Sequence, residues 1–153
     1  DDALFDAVLL DAPCSATGTI RRHPDVAYLK KPEDIAGLAA LQGRMLARAT
    51  NFLKPGGTLV YCTCSLEPEE GEAHLAALTD LPLTLDPVGA REVGGLAEIV
   101  TGDGAIRTLP SHLPNAEDPR LERRKRPHRH RAGLARGLSL RARSRRRPGR
   151  RRH

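Results

Sequence analysis

No stretch of this 153-residue chain approaches the roughly 18 consecutive apolar residues that a membrane-spanning helix needs. No signal peptide is visible either, and the chain reads as one that does not span a membrane. Cysteine is scarce, with Cys14, Cys62 and Cys64 alone. That odd count, with two of the three on one expected strand, argues against a disulfide framework and for a reducing compartment. Cys-x-Cys with one distant cysteine also lacks the paired spacing of a structural zinc site. Tryptophan is absent, and the last 34 residues contain no aromatic at all. That segment has too little apolar surface to offset the entropy of ordering it.

What the chain does contain is an unequal distribution of charge. Residues 1–119 hold nine basic and 18 acidic residues, a net −9, whereas residues 120–153 hold 15 Arg, one Lys and one Glu, a net +15. The overall +6 describes neither part. The first 119 residues suffice for one modest domain with a core. The remainder reads as a disordered, Arg-rich, low-complexity tail without a recognisable period.

Within the first part, Phe5-Asp6-Ala7-Val8-Leu9-Leu10 is a short apolar run that stops at Asp11-Ala12-Pro13-Cys14, as a buried strand ending in a polar loop does. Residues 14–31 read as a long loop. Pro32-Glu33-Asp34 opens a helix with proline early and acids in the first turn, and Ile35, Leu38, Leu41, Met45, Ala49 and Phe52 carry it at helical spacing. Lys54-Pro55-Gly56-Gly57 ends it. Thr58 to Cys64 is the next buried strand, and a second helix is expected from Pro68 to about Leu78. One or two short strands follow among loops, drawing on Val88, Val93, Leu96 and the Ile99 to Leu109 region.

Strand, loop, helix, strand, helix describes βαβ units on a parallel sheet, where ligands bind beyond the carboxyl ends of the strands. Asp11, Cys14 and Cys64 all fall there although 50 residues separate the two cysteines. Each has two readings. Cys64 is either a thiolate nucleophile favoured by a following helix N-terminus or a small buried strand filler, and Glu67, Glu69 and Glu70 oppose the first. Cys62, in mid-strand, is read as a filler. Asp11 is either a loop-capping carboxylate or an acid facing a ligand. Cys14 lies in a polar, turn-prone context. Arg21, Arg22 and His23 read as solvated.

Asp11-Ala-Pro-Cys14-Ser-Ala-Thr-Gly-Thr-Ile-Arg-Arg-His-Pro-Asp25, then Leu-Lys-Pro-Gly-Gly57, then Val-Tyr-Cys-Thr-Cys64-Ser-Leu-Glu-Pro-Glu-Glu70 strongly resembles the RNA cytosine-C5 methyltransferases. The Arg-Arg-His-Pro-Asp extension is most similar to the Fmu/Sun branch, which acts on small-subunit ribosomal RNA. The resemblance is close over residues 5–79, weaker to about Pro114 and absent beyond. It implies the C-terminal half of a Rossmann-like, class I S-adenosylmethionine-dependent sheet. The donor-binding Gly-rich loop and acids of the family would precede residue 1. It implies further that Cys64, in the Thr-Cys-Ser motif, adds to C6 of cytosine so that C5 can attack the methyl of S-adenosylmethionine. Cys14 then assists release, and Asp11 lies beside donor and base. No metal, no membrane and a cytoplasmic location are implied, with ribosomal RNA as partner and the oligomeric state open.

The family normally ends in a strand that returns to the middle of the sheet, and the resemblance leaves that strand without a counterpart. Three readings of residues 120–153 follow: an RNA-binding arm, a solvating tail, or an out-of-frame translation of a GC-rich gene, the one favoured. From the first comes a rival function, a non-catalytic RNA-binding fragment acting through the Arg-rich segment.

Overall fold

The computed structural model describes residues 4–109, 112 and 138–145. Strand β1 is Phe5–Asp11 and β2 is Leu53–Cys62. They run parallel, with Val8 beside Leu59 and Asp11 beside Cys62, joined through a connection that contains helix α1 (Val26–Leu29) and helix α2 (Pro32–Ala49). Helix α2 starts as its sequence dictates. Pro32 occupies the first turn, Glu33 and Asp34 complement the dipole, and Asp34 Oδ2 accepts the Lys31 N–H at 3.0 Å. After β2 come a 3-10 turn at Pro68–Glu70, short helix α3 (Ala73–Ala77) and strand β3 (Leu83–Leu85). Strand β4 (Ile106–Arg107) and strand β5 (Leu138–Ser144) complete the sheet.

The sheet order is β1-β2-β5-β3, with β4 also on β5, and β5 is antiparallel to β2, β3 and β4. The core lies on one face of this sheet. Leu59 and Tyr61 of β2 are paired across the register with Ala142 and Leu140 of β5, all four buried, and Leu46, Ala49 and Leu53 close the layer from the α2 side. Gly57 is needed where β1 meets β2, since a Cβ there would lie 2.9 Å from Lys54 O and 3.1 Å from Asp6 O.

Several expectations are corrected. The α2 helix ends at Ala49, short of the expected Phe52, and passes through a 3-10 turn at Thr50–Phe52, and β2 starts at Leu53 rather than Thr58, so that Lys54 to Gly57 lie within it. The helix expected over Pro68 to Leu78 is a 3-10 turn followed by the five residues of α3, broken at Gly71. Val88, Val93 and Leu96 lie in loops and 3-10 turns rather than strands. Among the described residues β1 pairs with β2 alone, and against the expectation of a buried strand Phe5 is 52% and Leu9 69% exposed. An apolar run marks a strand but not the number of neighbours that will cover it.

Of the segment read as a disordered tail, residues 120–137 and 146–153 lie outside the described residues. Residues 138–145 depart from that reading, because Leu138–Ser144 is the strand inserted between β2 and β3. Its Leu140, Ala142 and Ser144 are buried, while the intervening Arg141 and Arg143 are more exposed and pair with Asp86 at 2.9 Å each. Leu138–Ser144 thus stands in the middle of the sheet order.

Candidate active site

Two loops leave the carboxyl ends of the parallel strands side by side, one after Asp11 and the other after Cys62. Backbone bonds hold them together: Ala12 N–H donates to Cys62 O at 3.0 Å and Gly18 N–H donates to Cys64 O at 2.9 Å. Leu66 N–H adds a bond to Thr17 Oγ1 at 2.9 Å. Ala16 adopts a left-handed conformation, φ 63°, an arrangement that costs a non-glycine residue about 1 kcal/mol or more. That turn folds the first loop back over Cys64.

The consequence is a thiol pair. Cys14 Sγ and Cys64 Sγ are 3.3 Å apart, both half-buried and unbridged. The Cys14 thiol is pulled down from the ordinary cysteine range to about 7 because its thiolate accepts a hydrogen bond from the Cys64 thiol. Burial and the nearby Glu70 charge oppose that shift, and the Ala16 and Cys64 backbone groups add to it. The same shared proton pushes Cys64 well up. Two thiols this close lose their first proton as a unit. The local field thus favours thiolate at Cys14, and it does so without the helix N-terminus expected after Cys64, where only a 3-10 turn stands.

Asp11 is exposed at the end of β1, with its Oδ1 3.7 Å from Cys62 Sγ. Cys62 is half-buried, and burial together with the Asp11 charge pushes its thiol up to about 11. Arg21, Arg22 and His23 are exposed beyond the first loop. Among the described residues no group of three or more His, Cys, Asp or Glu side chains could hold a metal ion.

Behind the thiols lies a buried polar network that sequence reasoning missed. Glu70 is fully buried and its carboxyl oxygens accept the Ser15 N–H at 2.9 Å, the Ser15 hydroxyl at 2.5 Å and Gln42 Nε2 at 3.0 Å. Gln42 Nε2 also donates to Pro13 O at 2.8 Å, and its Oε1 accepts from Tyr61 OH at 3.1 Å and lies 3.0 Å from His74 Nε2. Tyr61 and His74 stack edge-on at 5.4 Å. Burial, with Glu70 adding to it, pushes the Tyr61 hydroxyl up, and burial holds His74 below its ordinary value despite the Glu70 charge. One signal was available: Gln42 interrupts the apolar stripe between Leu38 and Leu46 on α2. A polar residue there needs buried partners, but its sequence position does not say which.

The family model described as 16S rRNA methyltransferase RsmB/F matches residues 1–116. The ribosomal RNA small subunit methyltransferase B of Salmonella arizonae is 49% identical over 113 residues, covering 68% of this chain and 25% of its own length. That of Vibrio cholerae is 45% identical over 102 residues, covering 67% and 24%. Among solved structures, a methyltransferase homolog from Pyrococcus horikoshii superposes with a TM-score of 0.60 at 29% identity, over 94% of this chain and 40% of that one. The chain thus spans about a quarter of the curated relatives' length. The fold class expected from the motifs, an α/β Rossmann-like methyltransferase sheet, is the one found.

Proposed function

Since the chain belongs to the RsmB/F family of 16S rRNA methyltransferases, we propose that its strand-end site serves methylation of cytosine C5 in ribosomal RNA through a covalent cysteine adduct. The observation that carries this reading is the thiol pair, 3.3 Å apart at the ends of two parallel strands. One thiol alone can add to a pyrimidine. A second within reach of the first supplies what addition and release both need, a place to put a proton.

In this reading Cys14, the more acidic thiol, is the thiolate of the free site. As Cys64 Sγ closes on C6 of the base, its proton passes to Cys14 Sγ and the C6–S bond forms. S-adenosylmethionine, when bound, would supply the electrophilic methyl for C5 of the resulting enamine and leave as S-adenosylhomocysteine. With Cys64 held as a thioether, Cys14 loses its proton to solvent. It can then remove the proton from C5, so that the C6–S bond breaks and Cys64 leaves as thiolate. Asp11, exposed at the end of β1, fits a place against the donor and the base, with Arg21, Arg22 and His23 outside it toward the RNA backbone. The described residues form one wall of such a site, so the 153-residue chain by itself is expected to turn over weakly or not at all. Acting on ribosomal RNA, the protein would work in the cytoplasm.

The rival reading, RNA binding through the Arg-rich segment without catalysis, gains no support from β5. Arg141 is engaged by Asp86 and Glu92, and Arg143 by Asp86.

The test uses a protein of the relatives' length that carries these residues, with RNA containing 5-fluorocytosine at the target, where elimination is blocked and the adduct persists. A protein–RNA band resistant to denaturant is expected, absent in Cys64→Ser. Cys14→Ser is expected to stall as adduct on ordinary RNA. An adduct that survives Cys64→Ser refutes the assignment of the nucleophile.

A further inference from the structure

Glu70 takes no step in the reaction as proposed, yet it is a fully buried carboxyl group in a site whose other acid, Asp11, is exposed. Burial of such a group is tolerated only when its oxygens are satisfied, and the donors that satisfy them flank the two thiols. Ser15 follows Cys14 and gives Glu70 both its N–H and its hydroxyl. Gln42 Nε2 bridges Glu70 to the carbonyl of Pro13, the residue before Cys14. The Cys14 loop is therefore held on both sides of the thiol. The Ser15 hydroxyl also meets Ser65 Oγ at 3.0 Å, and Ser65 follows Cys64 and accepts the Glu67 N–H at 3.0 Å. With Glu70 accepting, each hydroxyl in the chain Glu67 N–H, Ser65, Ser15, Glu70 donates once and accepts once. One carboxyl group thus fixes the residues next to both cysteines.

We infer that Glu70 is a positioning residue: through Ser15, Gln42 and Ser65 it sets the approach of Cys14 to Cys64. This rests on the reading of those cysteines as partners in one reaction. Other ties between the loops do not pass through Glu70, namely Ala12 N–H to Cys62 O, Gly18 N–H to Cys64 O and Leu66 N–H to Thr17 Oγ1. Substitution at Glu70 is therefore expected to loosen the register of the thiols while the loops stay in place.

The probe is diamide, which takes one hydrogen from each of two thiols and leaves a disulfide while being reduced to the hydrazine. It is applied to the full 153-residue chain, with peptide mapping to separate a Cys14–Cys64 link from links to Cys62. Iodoacetamide in parallel reads each thiol alone. Because the Glu70 charge opposes thiolate at Cys14, its removal leaves Cys14 no less reactive by itself. In Glu70→Gln and Glu70→Ala the Cys14–Cys64 link is expected to form at least about tenfold more slowly, with Cys14 labelling at least as fast as in the parent and Cys62 labelling unchanged. A link formed at the parent rate overturns the inference, and so does a slowed link accompanied by faster labelling of Cys62, which marks general loosening. Should either Glu70 variant fail to fold by circular dichroism, Ser15→Ala removes only the hydroxyl between Glu70 and Ser65, and a parent-like link rate there overturns it equally. The readout needs neither RNA nor methyl donor. A slowed link with no fluorocytosine adduct would sink the reaction and keep the positioning role, whereas an adduct with an unchanged link rate would do the reverse.

Discussion

Replacing Leu140 by alanine tests the placement of β5 most directly. Leu140 is 1% exposed, lies opposite Tyr61 in the β2–β5 register and belongs to the same buried cluster as Leu59, Leu83 and Ala142. Truncating a leucine in such a setting removes its transfer free energy and leaves a cavity that strands on both sides are slow to fill, together about 3 kcal/mol within a usual range of roughly 2–5 kcal/mol. That is a large share of a domain stability of about 5–15 kcal/mol. With a urea m-value of about 1.5 kcal/mol/M, the midpoint should fall by about 2 M. Arg143→Ala is the control. It sits one strand position beyond Ala142 on the opposite face, its side chain is 59% exposed, and Asp86 keeps Arg141 as a partner when Arg143 is lost, so the change should cost at most about 1 kcal/mol. Equilibrium urea unfolding followed by circular dichroism reads both variants. Equal, small shifts for Leu140→Ala and Arg143→Ala would mean that residue 140 is not in the core, and the central position of β5 would be refuted.

Two further outcomes follow from packing and titration. In Gly57→Ala the three atoms nearest the new Cβ are backbone oxygens, of Lys54, Asp6 and Phe5, so β1 and β2 must part and stability should drop by roughly 1–3 kcal/mol in the same urea assay; an unchanged midpoint would contradict the close approach. His74 is held below its ordinary value by burial, so the folded state binds fewer protons than the unfolded state and stability rises with pH through this group. The contribution is complete above the unfolded value of about 6.5 and is lost as pH falls from there through the folded value. The urea midpoint should therefore decline from pH 7.5 to 5.5, less steeply in His74→Gln, and identical slopes would count against the buried histidine.

The β1 run, the capped start of α2 and the β2 strand were legible because each carries its own local signal: apolar continuity, a proline with acids behind it, a β-branched stretch. Strand-end logic then brought Asp11, Cys14 and Cys64 to one edge of the sheet. β5 was not legible, since its seven residues sit in an arginine-rich segment whose charge hides the alternation of Leu140, Ala142 and Ser144. Glu70 escaped for a different reason. Among three neighbouring glutamates, nothing local marks the one whose carboxyl faces inward to Ser15 and Gln42 rather than outward to water.

The order of residues along the chain was enough to specify the parallel β1–β2 pair and the two cysteine motifs at its strand ends, because those follow from short-range pattern, while the chemistry expected of the thiols came from the family those motifs resemble. Tertiary structure alone decided that the thiols stand 3.3 Å apart and share a proton, that a buried carboxyl group grips the residues beside them, and that a cationic strand closes the middle of the sheet. Each of these depends on partners 28 to more than 80 residues away, and contacts at that separation leave no periodic trace in the sequence. They are set by which surfaces must leave water together and which buried polar atoms must then find a partner.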